Sequence, residues 1–182
     1  MQNPFSRLHS CLTERLLQLL LHRAKPGRPV TPVPERILYV AASCLPYHIS
    51  GYTSRTHELL CALKEGGADL RVVTRTGYPW DRRDSLCLPE TESTLRDGIC
   101  YVHARTPRNN RFTAIYAAQA ATVLECYARQ EGVAHIHAAS NHVNALPALL
   151  AARRLGIPFQ YEMRGLWELT RIARQPAFAQ SH

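Results

Sequence analysis

Residues 133–168, VAHIHAASNHVNALPALLAARRLGIPFQYEMRGLWE, leave this chain little freedom in what it can fold into. They read as a strand over Val133–Ala138, a polar loop, a helix, and a second strand over Phe159–Met163. The turn Arg164-Gly165-Leu166-Trp167 closes the unit. Asn144 is placed to cap the helix, and Pro147 then falls in its first turn, where amides lack intrahelical partners and proline costs little. Leu146, Leu149, Leu150 and Leu155 share one face, and Gly156 followed by Pro158 stops the helix. Strand, helix and strand at this spacing form a βαβ unit, which demands a parallel pair joined by a right-handed crossover.

Ligands of parallel sheets gather beyond the carboxyl ends of the strands, where loops and helix N-termini converge. His137, Ser140 and Asn141 are expected at one such end and Arg164 at the next. An imidazole, a hydroxyl, an amide, a helix N-terminus and a guanidinium would then share a crevice suited to an anionic or hydroxyl-rich ligand. Taken singly, His135 and His137 are ordinary strand residues and Arg164 an ordinary turn cap. The grouping is what argues for a site.

The same pattern opens the domain. Arg36–Ala42 is an almost unbroken apolar run, as a central parallel strand requires. Ser43–Thr56 follows, carrying Gly51, and then a helix through Leu63 that ends at Gly66-Gly67 with a left-handed cap. A first strand, a glycine-bearing turn and a helix is where α/β proteins hold phosphates. The segment is neither a GxGxxG fingerprint nor a P-loop, so dinucleotide binding and NTP hydrolysis are not supported. Asp69–Arg75 is the second strand, and residues 76–97 form a long irregular connection of the kind that is functional or mobile. Gly98–Ala104 is a third strand near the sheet edge, with His103 near its carboxyl end. A basic loop, Arg105–Arg111, leads to a helix over Phe112–Glu131 stopped by Gly132. The predicted fold class is α/β, a Rossmann-like parallel sheet with helices on both faces, preceded by an N-terminal amphipathic helix.

That helix occupies residues 5–24 within an arm over 1–25; a proline-rich linker follows over 26–35, and the domain proper spans 36–182. Leu8, Leu12, Leu16, Leu19 and Leu20 form its apolar stripe, interrupted by Arg7, Glu14, Arg15 and Arg23. Its apolar core is too short to span a bilayer and lacks a signal-peptide cleavage site. Packing on a neighbouring domain is the favoured role, with a peripheral contact to the inner face of a membrane as the alternative for an otherwise cytoplasmic protein. The net charge of +8 comes almost wholly from arginine, since Lys25 and Lys64 are the only lysines. The basic residues are scattered and not interleaved with aromatics, so no nucleic-acid partner is expected. Cys11, Cys44, Cys61, Cys87, Cys100 and Cys126 form no CxxC and read as reduced, buried thiols. His103, His135, His137 and Cys44 show no metal-ligand spacing, so no metal site is expected.

ILYVAASCLPYHISGYTSRTHELLCALKEGGADLRVVTR, taken with HIHAASNHVNALPALLAARRLGIPFQYEMRGLWE, resembles the N-terminal, acceptor-side half of family 4 glycosyltransferases of the GT-B fold. The resemblance covers roughly Arg36–Arg174. It implies retaining transfer from a nucleotide-sugar, which is a substrate and not a cofactor, to a glycan or lipid-linked acceptor, with no metal. By position, it implies that Gly51 faces the donor diphosphate and His137 the reacting sugar. It further implies that Tyr52, Arg55, Asn141 and Arg164 line the acceptor side, and His103 and Ser140 join them from their strand-end positions. In this family a second Rossmann-like domain binds the nucleotide, so the resemblance implies a donor-binding domain or subunit in cis or trans, without which the chain does not turn over. Two alternatives stand beside it: a non-catalytic carbohydrate- or partner-binding module of the same fold, and another enzyme on this architecture, such as a sugar-nucleotide epimerase.

Overall fold

The computed structural model describes residues 4–27, 30–165 and 167–176. Pro29 of the linker, Leu166 of the closing turn and the tail from residue 177 onward lie outside the described residues, as do the side chains of Arg7 and Trp167. In chain order the elements are α1 (Pro4–Arg23), β1 (Ile37–Ala41), α2 (Gly51–Glu65), β2 (Leu70–Thr74), β3 (Ser93–Arg96) and β4 (Ile99–Val102). They continue with α3 (Thr113–Gln130), β5 (His135–Ala139), α4 (His142–Leu155), β6 (Phe159–Glu162) and α5 (Trp167–Arg174).

One six-stranded sheet runs in the order β3-β4-β2-β1-β5-β6. All neighbours are parallel except β3, which runs back antiparallel along β4. The chain therefore builds outward from β1 in one direction, through β2 and β4, and then in the other, through β5 and β6. The reversal between β1 and β5 is a topological switch point. Leu38, Val40, Ile136 and Ala138 turn one face of the sheet onto α3 and α4, through Leu124, Ala128, Ala148, Ala151 and Leu155. Tyr39, Ala41, Val72, Tyr101 and Ala139 turn the other face onto α2 through Leu60. The alternation along each strand is the period-two pattern of a sheet covered on both sides.

Several local expectations are corrected. Residues 76–97 are not irregular throughout: β3 forms there and makes a hairpin with β4 through Asp97 and Gly98, both at positive φ. Glycine and aspartate suit such a two-residue turn, and the exposed side chains of Ser93, Leu95 and Arg96 conceal the strand from a search for apolar runs. The cap of α4 is Asn141, whose Oδ1 accepts from the Val143 amide, so Pro147 falls in the second turn and not the first. Asn144 is instead buried inside the helix, donating from Nδ2 to Val40 O at 2.6 Å and Ala139 O at 2.7 Å. The left-handed cap expected at Gly66-Gly67 does form, at Gly67 with φ +86°, while Gly66 keeps φ −73°. Of the six thiols only Cys44 is buried; Cys11, Cys87, Cys100 and Cys126 are exposed.

α1 packs on its own domain. Leu17, Leu20, Leu21 and Ala24 contact Ala117, Ala121, Leu146 and Leu150 of α3 and α4. Leu8, Leu12 and Leu19, most of the stripe read from the sequence, face solvent instead. The proline-rich segment behind it is strapped to the domain: Gly27 N donates to Arg154 O, and Val33 N to Gly132 O. No helix among the described residues is long and apolar enough to cross a membrane.

Candidate functional site

The carboxyl ends of β1, β2 and β5 and the starts of α2 and α4 border one cavity of about 360 Å³. Ala42 and Ser43 come from the end of β1, Arg75 from the end of β2, and Ser140 and Asn141 from the end of β5. Ser50 and Tyr52 contribute the start of α2, Val143 the start of α4, and His48, Arg82, Asn109 and Gly165 complete the wall. Three of these side chains are basic or imidazole and none is a carboxylate.

Local sequence explains why the helix starts are ordered there. Ser50 and Thr53 form a capping box, with the Ser50 amide donating to Thr53 Oγ1 at 2.7 Å and the Thr53 amide to Ser50 Oγ at 3.3 Å. The amides of Gly51 and Tyr52, in the first turn, have no acceptor among the described residues, as helix geometry requires. Gly51 is thus the first residue of α2 and not part of a preceding turn, and a Cβ built on it meets nothing within 4 Å.

Two arginines are each paired with an acid that does not itself line the cavity, Asp81 with a buried side chain and Asp84 exposed. Arg75 grips Asp81 with Nη1 at 2.6 Å and Nη2 at 2.8 Å, and the Asn109 amide donates to the same carboxylate. Burial pushes Asp81 up, but the bonds from Arg75 and Asn109 outweigh it and keep the group below its ordinary range. Arg82 holds Asp84 through Nε at 2.7 Å and through Nη2, which leaves Nη1 without a partner among the described residues.

Of the residues expected from sequence, Tyr52, Ser140 and Asn141 line the cavity, and Gly51 sits between two lining residues. His137, Arg55 and Arg164 belong to an adjoining network around Glu162. His137 lies in mid-strand on β5, not beyond its end, with its ring 4.8 Å from that of Tyr39. Its Nε2 is buried and unbonded, with Glu162 Oε2 3.4 Å away. Burial lowers the pKa of His137 against the opposing pull of Glu162. Arg55 Nη2 lies 3.5 Å from Glu162 Oε1. Arg164 donates to Glu162, Tyr39, Thr56 and the Tyr52 carbonyl, and its amide donates to Ser140 Oγ at 3.0 Å, tying the network to the cavity. His103 stands apart, buried between Thr74 Oγ1 and Thr94 Oγ1, each at 2.9 Å. Burial drives its pKa down to about 4, so it is a neutral imidazole.

Arg75, Arg82, His48, Ser43 and Asn109 were not singled out from the sequence. Arg75 could have been, by the strand-end rule that selected Ser140; Arg82 and Asn109 arrive from loops whose path no periodicity encodes. Among the described residues no group of three His, Cys, Asp or Glu side chains is placed to hold a metal.

The fold and cavity define a Rossmann-like α/β domain with a cavity at its switch point. The family model for the glycosyl transferase 4-like domain matches residues 50–181, and the chain belongs to that family. No curated protein and no solved structure matches it. The domain is accordingly of glycosyltransferase type.

Proposed function

We propose that this cavity is one wall of a sugar-transfer cleft, taking the phosphate-bearing part of a nucleotide-sugar and the approaching glycan or lipid-linked acceptor. The observation that carries the reading is the electrostatics of the wall: unpaired helix-start amides, Arg75 and Arg82, and no carboxylate. Departure of a nucleoside diphosphate builds negative charge, and preorganised amides and guanidinium donors stabilise it. In this reading Gly51 and Tyr52 offer amides to phosphate, while Ser140 and Asn141 hydrogen-bond acceptor hydroxyls. Arg164 acts through Ser140 and Tyr52 as a positioning residue. A donor-binding domain, in cis or in trans, supplies the opposite wall, and no turnover occurs without it.

Calorimetric titration with inorganic pyrophosphate tests this. Arg82→Ala is expected to weaken binding several-fold. Lys64→Ala, in a separate hollow of about 430 Å³ with Asp69, Arg71 and Glu131, is expected to leave it unchanged. Equal weakening by Lys64→Ala, or no binding at all, overturns the reading.

The buried Nε2 of His137 favours a second reading, a non-catalytic carbohydrate- or partner-binding module. Transfer assays with a donor-binding domain added separate the two. A His137→Ala variant that keeps its fold but loses turnover supports the enzyme, whereas pyrophosphate binding without any turnover supports the module.

A further inference from the structure

α1 carries two apolar faces, and only one is used. Leu17, Leu20 and Leu21 are spent on α3 and α4. On the opposite side Leu8, Leu12 and Leu19 are 68%, 49% and 42% exposed. At 3.6 residues per turn, positions 8, 12, 15, 19, 22 and 23 fall on that same side, so Arg15, His22 and Arg23 are interspersed with the leucines. All three are exposed, and neither arginine has an ion-pair partner among the described residues. The one acid of the helix, Glu14, is turned toward the groove beside Thr113 and Leu146, where it accepts from Gln18 at 3.2 Å. The outward face is therefore leucine and cation, with no carboxylate.

That charge pattern selects the occupant. A second copy docking by two-fold symmetry would present the same carboxylate-free face, with nothing on it to neutralise Arg15 and Arg23. An anionic bilayer meets both demands: leucines enter the boundary between headgroups and acyl chains, and the guanidinium groups reach lipid phosphates. We propose that the outward face of α1 is a docking surface for an anionic membrane, with the helix lying in the interface.

The placement of α1 adds a consequence. Its N-terminal half lies beside Thr113 and Leu146, at the starts of α3 and α4, whereas its C-terminal end is tied through Gly27 to Arg154 at the far end of α4. The stripe thus runs toward the end of the domain where the cavity opens, and docking would hold that opening near the bilayer. The proposal stands apart from the sugar-transfer reading, since it needs only this face and not the chemistry of the cavity.

The test is co-sedimentation of the full chain with vesicles of pure phosphatidylglycerol or pure phosphatidylcholine, with sedimentation velocity in lipid-free buffer. The chain is expected to bind phosphatidylglycerol and not phosphatidylcholine, and to be released by added salt. Leu12→Glu with Leu19→Glu, at exposed positions, should keep the circular dichroism of the parent and weaken binding about tenfold or more. Arg15→Glu with Arg23→Glu should also weaken it. Equal binding to both vesicles, binding that survives these substitutions, or a lipid-free dimer dissolved by Leu12→Glu with Leu19→Glu overturns the proposal.

Discussion

Arg164 grips both carboxylate oxygens of Glu162, two residues away, through Nε at 2.8 Å and Nη2 at 2.9 Å. Its remaining donors go to Tyr39 Oη, Thr56 Oγ1 and the Tyr52 carbonyl, which uses all five of the guanidinium's hydrogens. With its side chain only 2% exposed, this arginine fastens the end of β6 to β1 and α2. Burial pushes the Glu162 pKa up, but bonds from Arg164 and Tyr39 outweigh it and hold the carboxylate below its ordinary range. Arg164→Ala would strip that largely buried carboxylate of its bidentate partner and leave it Tyr39 Oη at 3.0 Å and the longer contact to Arg55, at a cost of up to roughly 3–5 kcal/mol by urea denaturation. Arg164→Lys should recover only part, because an ammonium offers three donors and no fork. A loss under about 1 kcal/mol for Arg164→Ala would show the pair to be of surface type.

Asn144 reaches from α4 to the carbonyls of Val40 and Ala139, joining β1 to β5 at the switch point. Asn144→Leu keeps the volume and strips both donors. Each orphaned carbonyl costs about 1–3 kcal/mol, so the variant should melt well below the parent by calorimetry. An unchanged melting temperature would mean that the two carbonyls find other donors.

His103 sets an acid limit on stability. Its folded pKa, about 4, lies below the ordinary 6.5, so between those values the unfolded chain binds the proton first. Stability is then complete above pH 6.5 and falls as pH drops toward about 4, by roughly 3 kcal/mol if this group acts alone. His103→Gln, which keeps hydrogen-bonding capacity, should flatten that slope in urea titrations. A slope unchanged by the substitution would assign the acid loss to other groups.

Two glycines invite opposite outcomes. At Gly77, with φ +84°, a Cβ would stand 2.8 Å from Arg108 Cα and 2.9 Å from Pro107 O. Gly77→Ala should cost roughly 1–3 kcal/mol for the backbone alone, with the overlap added to it. At Gly51 the space is open, so Gly51→Ala should shift stability by less than about 1 kcal/mol. If phosphate approaches the Gly51 amide, the same alanine should nevertheless weaken pyrophosphate binding; intact binding would place the anion elsewhere.

The parallel core was legible because its signals are local. Apolar runs at Ile37–Ala41 and His135–Ala139, and stops at Gly132 and Gly156, encode strands and helix ends within a few residues. Ser140 and Asn141 followed from topology, since strand ends and helix starts of such a sheet must meet, whereas Tyr52 came from the family resemblance. The direction of side chains within that frame was less accessible. Arg164 and His137 point into a network whose centre, Glu162, shows no sequence signal, and Asn144 was mistaken for a cap because capping and burial favour the same residue type. β3 was hidden because a short, exposed edge strand carries no apolar alternation.

The starts of α2 and α4 both face the same cavity. Each helix contributes about half an elementary positive charge there, so the wall holds roughly one unit of attraction that belongs to the main chain. Neither acid nor base can titrate it, and no side-chain exchange can delete it. Removing both arginines should therefore leave a residue of affinity for anions that persists across pH, fixed by the folding pattern and independent of the side chains that decorate it.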